Sequence, residues 1–491
     1  MQNVNNSDAL NECRSDKYFD STGSQILHKS RELGARWREL CARFLTVVDE
    51  ISSWCYSRRI NSDDPEQGWK LHISATILTA GDVLEKVAPF LISRDILFKA
   101  PKSLQLLVKL NSGLFHGYSQ IGKFITVYPR NTIEAMQLAD RLHKLTAGIS
   151  APAVPFDLRY RPQSCIYYRY GAFRYQEIKT SDGDQFPAIR DLSGNLVPDL
   201  REQAIPSWLK DPFQMPKQPE INTDDNHENP LKTTYHIFRA ISQRGKGGVY
   251  QAIDSGTNPP RLCIVKEGRR LGEIGWDGCD GFRLVKYEAE VLSAIQATKI
   301  NTPNLYSTFE LEQNYYLVTE FVEGSSLDEL LKIRRRRFSV KQVVKYAIQI
   351  AELLTHIHSA GWVWRDCKPG NLIETKDGSL RPLDFEGACR VNQSSVLTWR
   401  TLEFSAPENK EFSSHPAIEA EDIYSFGTVI YFLLTGKVYQ PDSPLQIKKL
   451  RRGVPRPLEQ IIEASLVLPV QKNLPSAKSL SSRLRKLLKP D

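Results

Sequence analysis

Two groups of residues in this 491-residue chain have types and spacings that could do chemistry. In the C-terminal half, Ser242-Gln-Arg-Gly-Lys-Gly-Gly-Val-Tyr250 offers Gly245, Gly247 and Gly248, where backbone without side chains can come close to a phosphate. Downstream lie Ile264-Val265-Lys266, then Trp364-Arg365-Asp366-Cys367-Lys368-Pro369-Gly370-Asn371, and thirteen positions after Asn371 the run Asp384-Phe385-Glu386-Gly387. The second group is N-terminal. Lys70-Leu71-His72-Ile73 sets Lys70 and His72 two positions apart, so a strand would carry both on one face, roughly 7 Å apart along the chain. Lys99, Lys123, Arg159 and Arg169 follow in apolar, strand-like text. Cations in such text are costly unless they meet an anion or carboxylates, so this group is either an anion pocket or a set of surface cations on half-exposed strands.

Composition narrows the class. With 41% hydrophobic and 25% charged residues the chain is neither collagen-like nor wholly disordered. No run approaches the roughly 20 apolar residues of a membrane span, and Met1–Asp8 lacks the basic start and apolar stretch of a secretory signal. A cytoplasmic protein is expected. The net charge of +8 is a mild excess, suited to phosphate-bearing or acidic ligands and too small for a nucleic-acid coat. The eight cysteines form no C-x-x-C pair, which argues against a zinc knuckle and for reduced thiols.

The elements that must position these residues fall into two blocks. Between Lys210 and Thr234 the text is dense in Pro, Asn and Asp and poor in apolar periodicity, which predicts a linker. The expected division is 1–212, a linker at 213–234, and 235–491. In the first block, helical periodicity over about Gln25–Ser57, around Ala80–Leu91 and over about Ile133–Leu145 mixes with strand-like runs at Leu71–Ile73, Phe124–Val127 and Ile166–Tyr170. That mixture predicts an α+β domain. The second block opens with glycine-interrupted strands and turns helical at Val340–His358, Asp422–Leu434 and about Ala477–Leu488, predicting two lobes.

In order and separation the C-terminal motifs resemble those of eukaryotic-type Ser/Thr protein kinases, from about Tyr235 onward. The resemblance implies that Gly245, Gly247, Gly248 and Val249 lie over the phosphates of ATP or GTP, although Ser242 and Arg244 fill the first two glycine places. It implies that Lys266 grips the α and β phosphates, with Glu288 as its partner and Glu290 as a competitor for that role. Asp366 would accept or orient the proton of the attacking hydroxyl, Lys368 would steady the transferring phosphoryl group, and Asn371 and Asp384 would hold Mg²⁺. Ala406-Pro407-Glu408 would close the activation segment, and Asp422 would anchor the catalytic loop. Two positions depart from the family. Trp364 stands where a histidine is usual, and Glu386 takes the glycine place of D-F-G, which should restrict a backbone flip there. The Arg334–Arg337 run is either a solvated face or a dock for an acidic peptide.

The first block, over most of Trp69–Pro212, resembles the N-terminal domain of class III and IV lanthipeptide synthetases, itself similar to phosphothreonine lyases. GWKLHISA, the step from His72 to Lys99, GKFITVYP and YYRYGAF carry the likeness. The resemblance implies β-elimination of phosphate from phosphoserine or phosphothreonine. Lys99 would be the base, His72 the acid for the leaving phosphate, and Lys70 the stabiliser of the enolate oxygen, with Arg159, Arg169 and Lys123 gripping phosphate. The expected protein is a dehydratase of a ribosomally made precursor peptide. Those synthetases usually continue into a cyclase, for which the text after the kinase-like stretch leaves no room, so a separate cyclase is the expected partner if rings are closed. The alternatives are a signalling kinase with a phosphopeptide-binding or regulatory first domain, and a non-catalytic scaffold.

Overall fold

Alternation with period two organises the first half: Trp69, Leu71 and Ile73 are buried on one side of their strand, and Lys70 and His72 take the other. The structure, a computed structural model, describes residues 23–46, 52–179, 183–201, 204–214, 229–298, 300–334, 337–393, 403–405, 416–441, 445–466 and 474–488. Strands β1 (Trp54–Tyr56), β2 (Gln67–Ile73), β3 (Leu97–Pro101), β4 (Ile125–Tyr128), β5 (Leu158–Arg159) and β6 (Ile166–Ala172) form an antiparallel sheet in the order β1-β3-β4-β2-β6-β5. Helices α1 (Gly23–Phe44), α2 (Ala80–Ser93), α3 (Leu104–Ser112) and α4 (Thr132–Leu145) accompany it. Val83, Leu84 and Val87 of α2 and Leu138 and Leu142 of α4 share one core with Leu71, Ile73, Phe98, Val127 and Ile166. Burying a side chain such as Leu71 or Ile73 completely is worth roughly 1.5–3 kcal/mol. That burial fixes the register, because a slip of one residue would turn the cations into the core.

The helix expected to run to Ser57 ends at Phe44, and Val47, Val48 and Ile51 lie outside the described residues. Trp54-Cys55-Tyr56 is the edge strand β1, where only Cys55 is fully buried and its neighbours alternate with it, a period of two rather than 3.6. A small sheet of β7 (Glu177–Lys179), β8 (Gln185–Arg190) and β9 (Leu196–Pro198) follows. The stretch read as linker is anchored at both described ends. Phe213 is buried against Trp69, Tyr160 and Tyr168, and Tyr168 donates to Asp211 at 2.7 Å. Helix α5 (Pro230–Thr233) precedes the second half, and its Leu231 packs there with Tyr235. A single aromatic anchor needs no periodicity, so composition could not reveal it.

The second half starts with an antiparallel sheet of β10 (Tyr235–Arg244), β11 (Gly247–Asp254), β12 (Arg261–Gly268), β13 (Leu305–Leu311) and β14 (Asn314–Glu320), ordered β10-β11-β12-β14-β13. Helix α6 (Gly281–Gln296), capped by Asp280, packs on it and carries Glu288. A helical lobe follows, with α7 (Leu327–Arg334), α8 (Val340–Ser359), α9 (Ala420–Thr435), α10 (Ile447–Leu450), α11 (Arg456–Ser465) and α12 (Ala477–Lys486). The buried faces of α8, α9, α11 and α12 join one core with α6. The two halves touch where Ile274 and Trp276 pack against the first core and where Gly245 donates to Ser112 O at 3.0 Å. No helix among the described residues is long and apolar enough to cross a membrane.

Candidate active sites

Pairing across the first sheet sets its polar face. Lys99 lies opposite Thr126, Thr126 opposite His72, His72 opposite Tyr167, and Tyr167 opposite Arg159, while Lys70 lies opposite Arg169. Directly paired residues share a face, so Lys70, His72, Lys99, Arg159 and Arg169 all project from the side of the sheet away from the core. Lys123, just before β4, joins them through a carboxylate: Asp157 lies 2.5 Å from His72 Nδ1 and 3.0 Å from Lys123 Nζ. Arg169 is buried and paired with Asp199 at 2.6 Å, so this guanidinium, expected to be a phosphate ligand, already holds a carboxylate on one edge. Arg159 is exposed, 5.1 Å over the Tyr167 ring. Lys99 Nζ sits 4.5 Å over the Trp54 ring.

Electrostatics separates these cations. Burial, then Arg169, pushes Lys70 down to about 7, with Lys99 and Lys123 acting in the same direction and Asp199 against it. Burial, then Arg201, pushes Lys99 down to about 8. His72 falls to about 4 through burial, which outweighs the opposing Asp157, while Asp157 itself drops to about 2 because His72 and Lys123 outweigh its burial. His72 is therefore neutral at pH 7. Sequence reasoning missed Asp157, Asp199 and Arg201. The signal for the first was the demand that buried cations find carboxylates, together with Asp157 standing two residues before Arg159.

In the second half a cavity of about 620 Å³ opens between the sheet and the helical lobe, lined by Lys246, Gly247, Gly248, Val249, Lys266, Glu288, Lys368, Asn371 and Asp384 among others. Lys266 Nζ meets Glu288 at 2.5 Å and Asp384 at 3.1 Å, and lies 3.8 Å from Glu386. Burial alone would lower Lys266, but Asp384, Glu288 and Glu386 outweigh it and hold the ammonium well above its usual range. Asp366 accepts from Lys368 at 2.8 Å and from Asn371 Nδ2 at 2.7 Å, and burial lifts its carboxyl above the ordinary range. Asp422 fixes the loop from α9 by accepting from the backbone of Trp364 (2.8 Å) and Arg365 (2.7 Å), with His358 Nε2 at 2.9 Å. Trp364 is a buried post: its Nε1 donates to Asp384 O at 2.9 Å and its ring stacks on Phe385.

Gly245 departs from its expected place over phosphates. It faces the first domain, where an added Cβ would fall 1.7 Å from Asn111 O. The reason is topological, because Arg244 pairs with Gly247 and the loop is reduced to a two-residue hairpin turn. Glu386 forms an ion pair with Lys246 at 2.5 Å. Arg337 donates to Leu450 O at 2.8 Å, whereas Arg335, Arg336 and Ala406–Glu408 lie outside the described residues.

Comparison with known proteins agrees with this division. The family model described as RamC, N-terminal domain, matches residues 42–225, and that of the protein kinase domain matches 235–490, more than half of the chain. A probable SapB synthase of Streptomyces coelicolor is 27% identical over 377 residues, covering 74% of this chain and 39% of that protein. A probable serine/threonine-protein kinase of Clostridium acetobutylicum is 33% identical over 222 residues (44% of this chain, 32% of that one). Serine/threonine-protein kinase F of Synechocystis is 28% identical over 228 residues (43% and 45%). The chain spans less than half the length of each of these relatives. With kinase motifs converging on one cleft and a RamC N-terminal domain ahead of them, the chain belongs to the protein kinase domain family and has the two-domain order of class III/IV lanthipeptide synthetases.

Proposed function

We propose that the chain is a bifunctional dehydratase that phosphorylates Ser or Thr of a precursor peptide and then eliminates the phosphate, leaving dehydroalanine or dehydrobutyrine. The observation that carries this reading is the shared polar face of the first sheet, where Lys70, His72, Lys99 and Arg169 come together over an otherwise apolar layer. The peptide substrate is supported by the similarity to a probable SapB synthase.

In the kinase cleft, Asp366 orients the substrate hydroxyl and takes its proton, while Lys368 neutralises charge on the transferring group. Lys266, kept charged by Glu288, holds the nucleotide phosphates of ATP or GTP. Asp384 and Asn371 suit Mg²⁺: both line the cavity with oxygen donors, and the Asn371 amide nitrogen is spent on Asp366, leaving its oxygen for the metal. Mg²⁺ held there would neutralise charge on the β and γ phosphates.

In the first domain, Lys99 removes the α-proton of the phosphorylated residue, the Cα–Cβ double bond forms and the Cβ–O bond to phosphate breaks. Lys70 stabilises charge on the carbonyl oxygen, and His72 delivers a proton to the departing phosphate. The pocket's field separates the two lysines. Burial and then Arg169 depress Lys70, with Lys99 and Lys123 adding to it, and a phosphate dianion offsets those charges, so bound substrate raises Lys70 toward its protonated form. Lys99 is lowered by burial and then by Arg201, and its neutral form is the base. The same dianion raises His72 from its low value and supplies the acid. Arg159 and Lys123 complete the grip on phosphate. These reactions place the chain in the cytoplasm, where nucleotide and nascent peptide meet.

The test is purified chain with nucleotide, Mg²⁺ and a Ser/Thr-rich precursor. Loss of one water per modified residue by mass spectrometry is expected, and stable phosphopeptide with no dehydro residue would instead favour the signalling kinase.

A further inference from the structure

The hairpin tip between β10 and β11 spends its backbone on neighbours. Gly245 N–H donates to Ser112 O at 3.0 Å, and Lys246 O accepts from Arg269 N at 2.8 Å. Asn111 O stands where a Cβ on residue 245 would lie, so only glycine fits against it, and Asn111 is itself buried and tied to Ala75 O and Gly122 N. A tip pinned in this way cannot wrap triphosphate oxygens with successive amides, as a longer glycine loop does. What it sends into the cleft is a side chain. Lys246 Nζ lies 2.5 Å from Glu386 Oε1, and Glu386 Oε2 lies 3.8 Å from Lys266 Nζ, so one deeply buried carboxylate stands between two ammonium groups beside Asp384.

We propose that Lys246 is a phosphate-binding residue of the nucleotide site, parked on Glu386 until the β and γ phosphates of a nucleoside triphosphate take it over. This rests on the kinase assignment of the cleft. The hairpin supplies a charged side chain at the place of the glycine-rich loop, and Glu386, in the usual glycine place, is the counter-ion that keeps that charge aimed inward. A flexible ammonium suits this task because it binds phosphate as a point charge without a fixed fork. The wedge of Gly245 on Asn111 sets its reach, so the first domain positions a nucleotide ligand of the second.

The test is binding of a fluorescent, non-hydrolysable ATP analogue with Mg²⁺ to the full chain, with thermal melting of the free protein as the folding control. Lys246→Ala should weaken binding about 10-fold and Lys246→Arg should restore most of it, while AMP, which lacks the β and γ phosphates, loses nothing. Lys246→Ala strands a buried carboxylate, so Glu386→Gln and the double variant Lys246→Ala/Glu386→Gln complete the set. Glu386→Gln should bind the analogue more tightly than the unaltered chain, and the double variant about 10-fold more weakly than Glu386→Gln. Equal binding by Glu386→Gln and the double variant would overturn the assignment of Lys246. Absence of binding by the unaltered chain would bring down the kinase assignment along with it.

Discussion

Lys99 and Lys266 both rise from antiparallel strands, and their protonation is driven in opposite directions. Around Lys266 stand Glu288, Asp384 and Glu386, and the ammonium is held charged. Burial, then Arg201, pulls Lys99 down to about 8, with an aromatic ring beneath it. The same residue type on the same kind of element is held charged in one domain, as the proposed phosphate clamp requires, and becomes a candidate base in the other. Strand placement decides where a lysine points, and burial with the sign of its neighbours decides what it can do.

The largest contrast should come from the catalytic loop. Asp366→Asn is expected to cut phosphoryl transfer about 10³-fold, read as incorporation of labelled phosphate, while elimination from a synthetic phosphopeptide continues. Lys99→Ala should do the converse, slowing elimination on the order of 10²-fold and letting phosphopeptide accumulate by mass spectrometry. If both variants gave identical products, the division of labour between the domains would be broken. Asp157→Asn should slow elimination about 10-fold without touching phosphorylation, because it releases His72 and leaves Lys123 buried without its carboxylate. Its melting temperature should fall as well.

The smallest effect concerns pH. Lys99 must be neutral to act as a base, and its folded value lies near 8, so kcat for elimination, measured with saturating phosphopeptide that keeps Lys70 and His72 protonated, should rise roughly fivefold between pH 7 and pH 8. Lys266 must be charged, and its raised value keeps it so across that window, which predicts no such limb from it in nucleotide binding. A flat elimination profile would remove Lys99 from the role of base.

Much of this arrangement could be read from the chain. The spacing of Lys70 and His72 fixed their common face, and the ordered motifs from Lys266 to Asp384 announced one cleft. That Lys99 joins His72 follows from the family resemblance and not from spacing alone, since their shared row depends on how β3 and β4 align across distant sequence. Asp157 escaped for a similar reason. Its carboxylate matters only because the fold brings it to His72, 85 positions away. The overrun of the first helix arose because Trp54 and Cys55 satisfy a helical stripe and a strand equally well until a partner strand is known. Nothing in the sequence marks Lys246 among its glycines, and its partner Glu386 reads only as a backbone restraint. Their 140-residue separation hid the ion pair.

The most direct test of the central claim is to offer a synthetic phosphothreonine peptide to the Asp366→Asn chain at pH 8, without nucleotide, and follow it by mass spectrometry. The account predicts release of inorganic phosphate and a dehydrobutyrine product, abolished when Lys99→Ala is added to the same chain. An intact phosphopeptide after prolonged incubation with well-folded Asp366→Asn protein would contradict it.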